Sequence, residues 1–148
     1  MSKIRMSIAI GDSIANVGNG VALVNPFIVY KTKYTPTMFS FAAIATISGY
    51  NAAETHTVEL FLVKAADESD GSDESFDISQ IKDSGKIQST GKQPLPANLP
   101  LINFNLNWNL RNVPFENRGQ YLVVLVFDNE HFEKPFFIES DKQLTIES

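Results

Sequence analysis

Few residues in this chain have the chemistry of a catalytic or metal site. His56 and His131 are its two histidines, and each falls at a turn or at the start of an apolar run. A serine- or histidine-based triad needs a nucleophile, a base and an orienting acid together. No Gly-x-Ser-x-Gly elbow, phosphate loop or His-Glu-x-x-His motif supplies that frame. Asp12-Ser13 reads as an ordinary loop pair. The absence of cysteine removes thiolate metal centres and disulfide frameworks. The residue types argue against an enzyme and imply no cofactor.

Oxygen ligands are the next chemistry to weigh. Between residues 66 and 81 lie Asp67, Glu68, Asp70, Asp73, Glu74 and Asp77, with no base among them. Calcium in an EF-hand would need Asp at the first loop position. Placing Gly71 at the sixth position puts Ala66 at the first, so that spacing fails. The same acids could pair with an arginine cluster on a basic protein. The simpler reading is a solvated loop, because Asp67 to Ser75 lacks the apolar surface that would offset its ordering entropy. Outside this segment acids and bases nearly cancel, although the whole chain carries -5. No basic stripe is available to displace counterions from phosphate, so direct nucleic-acid binding is not expected.

Two strand-like stretches carry the remaining candidates. In Ile102-Asn-Phe-Asn-Leu-Asn-Trp-Asn-Leu110 every second residue is large and apolar and the rest are asparagine. A period of two marks a half-buried strand, and a one-residue slip would bury the amides. Asn103, Asn105, Asn107 and Asn109 then form a polar face that could meet a glycan, another strand or only solvent. Gly119-Gln-Tyr-Leu-Val-Val-Leu-Val-Phe-Asp128 instead holds seven apolar residues in succession and is apolar on both parities. With the bulkier Tyr121, Val123, Leu125 and Phe127 facing the core, Leu122, Val124 and Val126 point outward, beside Phe61 and Val63 if their strand is a neighbour. Such a patch must be covered by the chain itself, for which Phe76–Ile81 and the proline-rich Gln93–Pro100 are candidates, or by another molecule.

The elements that would position these groups are short strands. Ile4–Ile10 reads as the first, with a connection from Asp12 to a tight turn at Asn19-Gly20. Val21–Val24 and Phe27–Tyr30 read as a second strand broken by Pro26, and Met38–Ile47 as a third. Thr57–Lys64 is the fourth, with Val58, Leu60 and Leu62 inward. Lys86–Thr90 is a short fifth, and Gln93–Pro100 an extended connector with three prolines. Asp128 to His131 turns the chain into a last strand, Phe132–Ile138. One domain over residues 1–148 is expected, with residues 66–85 an acidic, mobile insertion and residues 139–148 a polar C-terminal tail. The pattern predicts an all-β fold, an antiparallel β-sandwich of about seven to nine strands, immunoglobulin-like or C2-like.

Three groups of residues resemble a family. They are Ile10-Gly-Asp-Ser with Asn19-Gly20 and Val24-Asn-Pro-Phe27, then Glu54-Thr-His-Thr-Val-Glu-Leu, then Phe104-Asn-Leu with Asn112-Val-Pro-Phe, Gly119-Gln-Tyr and Asp128. In order and spacing they are similar to small bacterial and prophage β-sandwich proteins of unknown function, over most of residues 7–138. The resemblance implies a fold and no site. In such relatives the strand after Gly-x-Tyr usually alternates, whereas here both parities are apolar.

The function expected from these observations is a noncatalytic protein–protein interaction or structural module, phage-encoded or bacterial, whose partner is a protein or a second copy of the chain. One alternative is an inhibitor engaging a basic, nucleic-acid-binding host-defence protein through its acidic loop. Another is a calcium-dependent binding module. No stretch reaches the roughly 18 apolar residues of a membrane span. The expected location is a cytoplasm, or a virion assembled in one.

Overall fold

A computed structural model describes residues 4–65, 81–82, 85–98 and 103–144. They form ten strands in two sheets, with no helix among the described residues. The strands are β1 (Arg5–Val17), β2 (Gly20–Pro26), β3 (Val29–Thr35), β4 (Thr37–Ser48), β5 (His56–Lys64), β6 (Lys86–Ser89), β7 (Gln93–Leu95), β8 (Asn103–Phe115), β9 (Gly119–Phe127) and β10 (Glu130–Gln143). One sheet has the order β2-β1-β4-β8, the other β3-β10-β9-β5-β6, with β7 also paired to β5.

The core lies between the sheets, where the pleat sends alternate side chains. One side supplies Ile8 and Ile10, then Phe41, Ala43, Ala45 and Ile47, then Leu110, Val113 and Phe115. The other supplies Val58, Leu60 and Leu62, Tyr121, Val123, Leu125 and Phe127, and Phe136 with Ile138. The alternation in Met38–Ile47 and Thr57–Lys64 therefore sets the inward faces of β4 and β5. At one end the core is aromatic: Tyr30 stacks on Phe39 at 3.7 Å, and Phe39 on Phe115 at 4.6 Å between centroids.

Several boundaries differ from the sequence reading. The first strand runs on to Val17, and the hairpin turn is Gly18-Asn19, where Gly18 takes φ +57°. The second strand is two strands in different sheets. After Pro26 the chain crosses over, held by Phe27 N–H to the Ile10 carbonyl at 3.0 Å and Phe137 N–H to the Ile28 carbonyl at 2.8 Å. The proline connector contributes β7. These additions raise the count to ten. Part of the polar tail is strand. Residues 139–143 belong to β10, where Glu139 to Gln143 lie beside Lys31 to Thr35 of β3 in a parallel ladder. All other pairings are antiparallel. The residues are polar as expected, but a strand needs only backbone groups to pair; residues 145–148 lie outside the described residues.

Candidate interaction surfaces

The two histidines lie in different settings. His56 opens β5, and Asp128 sits at φ +53° in the β9–β10 turn. The ladder between β5 and β9 brings them together: His56 Nδ1 lies 2.6 Å from Asp128 Oδ2. The other ring nitrogen, Nε2, lies 2.7 Å from the Asn51 carbonyl, and Thr57 N–H donates to Asp128 Oδ1 at 2.9 Å. Both neighbours of the ring are acceptors, so the imidazolium can donate to each while a neutral tautomer can serve only one. Burial lowers the His56 pKa, but the Asn51 and Asp128 hydrogen bonds and the charges of Asp128 and Glu54 outweigh it, and the net shift is upward from 6.5. With Nε2 engaged by a carbonyl, this His–Asp pair is a structural clamp and offers no free base to a nucleophile. His131 is exposed, 3.3 Å from Glu133, in a groove of about 560 Å3 with Arg5 and Glu130.

The outer face of β5 and β9 is arranged as the apolar parities require. Phe61 is opposite Val124, Val63 opposite Leu122 and Glu59 opposite Val126. These residues are not an open patch, because Phe61, Val63, Leu122 and Val124 are only 0–5% exposed within the single chain. Ala65, Ile81 and Val126 pack against them, and Lys86 Nζ lies 4.5 Å from the centre of the Phe61 ring. Glu59, which alternation alone would put in water, is buried beside them. It accepts from Lys86 Nζ and Ser89 Oγ, each at 2.8 Å. A buried carboxylate needs such partners. Glu59 also borders a groove of about 500 Å3 with Thr55, Thr57, Lys92, Val126, Asp128 and Asn129.

The acidic residues Asp67, Glu68, Asp70, Asp73, Glu74 and Asp77 lie outside the described residues. Among the described residues no group of three or more histidine or acidic side chains could hold a metal ion. No helix there is long and apolar enough to cross a membrane.

The asparagine row proves to lie at the rim of a sheet. Strand β8 pairs with β4 on one side, and no described strand pairs with it on the other. Asn105, Asn107 and Asn109 are exposed, while Phe104, Leu106 and Trp108 are half-buried against the core. Across the sheet the rows read Ser7–Thr46–Asn105 and Ala9–Ile44–Asn107, with no charge in either. Strand order was not legible in the alternation, so the edge position of this row could not be read there. The chain matches no protein-family model, no curated protein and no solved structure.

Proposed function

We propose that the protein is a noncatalytic interaction module with an immunoglobulin-like sandwich, and that it binds protein partners by adding a strand to the β8 edge. The carrying observation is that edge. Sheet edges are usually blunted by shortness, charge, proline or bulges, because unpaired backbone groups recruit other strands. Here β2 has seven residues and includes Pro26, β3 has seven with exposed Lys31 and Lys33, and β6 and β7 have four and three. Strand β8 has thirteen. Its blunting features begin only at Arg111, with Asn112 at φ +51° in a bulge and Pro114 beyond. From 103 to 110 there is no charge and no proline.

Strand order supports the immunoglobulin-like reading. In that fold one sheet runs A-B-E-D and the other carries C, F and G. Strands β1, β4 and β8 take the places of A, B and E, while β5, β9 and β10 take those of C, F and G. Near the start of β9, Tyr121 Oη donates to the Asn117 carbonyl at 2.6 Å, as a tyrosine corner does. The position beyond β8 is that of strand D, and it holds no described strand. An added strand there would gain main-chain hydrogen bonds, the usual source of affinity in β-augmentation.

Photo-crosslinking tests this reading. With p-benzoylphenylalanine at position 107, irradiated cells should yield a protein adduct that is missing when the same group is at position 33 of β3. Equal labelling at the two positions, or none, would overturn the edge as the contact.

A further inference from the structure

We infer that the strand added to β8 is β8 of a second copy, running antiparallel across a two-fold axis. This rests on the edge reading above and names its occupant. Asparagine is the one residue type on the exposed side of the strand before the bulge, and a carboxamide both donates and accepts. A row of them is complementary to itself, which a two-fold contact requires. Charge points the same way. The excess acidity of the chain lies in residues 66–81, and the rows leading to Asn105 and Asn107 are uncharged, so two copies meet there without repulsion.

The register is narrow. Opposed residues in an antiparallel pair share a face, so an axis normal to the sheet must lie between the two copies of a single residue, which then pair with each other, to keep asparagine beside asparagine. An axis at Asn107 sets Asn105 opposite Asn109 of the second copy and Leu106 opposite its Trp108. An axis at Leu106 sets Asn105 opposite Asn107. Either pairing ends at the bulge and joins the two four-stranded sheets edge to edge. Contact confined to one strand edge and its flanking side chains is small, so association should be weak and concentration-dependent.

The chain has no cysteine, which makes cysteine pairing a clean test. Directly opposed residues have Cα atoms about 4.5–5.5 Å apart, within disulfide range. Under mild oxidation Asn107→Cys should cross-link to itself if the axis is at 107. A mixture of Asn105→Cys and Asn107→Cys chains should cross-link to each other if it is at 106. Thr46→Cys, half-buried on β4 and paired on both sides by β1 and β8, should stay monomeric. Sedimentation of the wild type from about 10 µM to about 1 mM should show mass rising towards a dimer. Asn105→Lys/Asn107→Lys should hold it at monomer with an unchanged melting temperature. A monomer throughout that range, or a dimer in which neither cysteine pairing forms, would overturn the inference. A photo-adduct at position 107 to a different protein would overturn the second copy while leaving the edge reading in place.

Discussion

His56 and Asp128, 72 positions apart in the chain, meet at 2.6 Å and fasten the start of β5 to the β9–β10 turn. The other ring nitrogen faces the Asn51 carbonyl, so only the imidazolium can donate to both neighbours at once. Because the folded-state pKa of His56 is raised above 6.5, its contribution to stability is complete below that value and is lost as pH rises through the folded pKa. Wild type and His56→Gln should differ most in melting temperature at about pH 5.5 and converge towards about pH 9. A gap that stays constant over that range would mean that the imidazolium is not the bound form.

The outer face of β9 makes an opposite demand. Val124 is fully buried opposite Phe61, so Val124→Glu would place a carboxylate among Phe61, Val63 and Leu122. The cost should be several kcal/mol, enough to abolish cooperative thermal unfolding. A variant that melts like the wild type would show this face to be open.

Tyr121 contributes through its hydroxyl as well as its ring. The ring packs edge-on against Phe115 at 4.9 Å, and Tyr121→Phe keeps that contact while removing the bond to Asn117. A loss of about 1–2 kcal/mol in denaturant titration is expected, with an unchanged slope. No loss would leave the corner without energetic weight.

Gly11 has no room for a side chain. A Cβ there would lie 2.7 Å from Leu23 Cγ and from the Val24 carbonyl oxygen. The backbone oxygen cannot swing aside, so Gly11→Ala should cost about 1–3 kcal/mol by urea unfolding. A neutral result would show that the β1–β2 ribbon yields easily.

Trp108, the single tryptophan, is a direct reporter of β8. It is half-buried, so its emission should fall between buried and exposed limits, and Trp108→Ala should cost less than the roughly 3–5 kcal/mol of a fully buried ring. Emission matching that of the unfolded chain would contradict the register of β8 on β4.

What the sequence determined by itself was local. The inward parity of β4 and β5 follows from alternation, because a pleated strand with one buried face admits one register, whereas that of β9, apolar on both parities, was read from side-chain bulk. The β9–β10 hairpin was legible for the same reason, since its turn residues and flanking apolar runs are adjacent in the chain. The tertiary structure decided what depends on contacts between distant segments. Nothing near Asn107 indicates that β8 ends a sheet, and nothing near His56 names Asp128; for Val124 the sequence offered Phe76–Ile81 as one candidate cover, and the structure packs Ile81 there. Polar residues at 139–143 gave no alternation that would name β3 as their partner, and it is the parallel backbone ladder to β3 that makes them strand. Side-chain periodicity specifies a face, whereas strand order and edges come from which backbones pair, and backbone hydrogen bonding depends little on side-chain type.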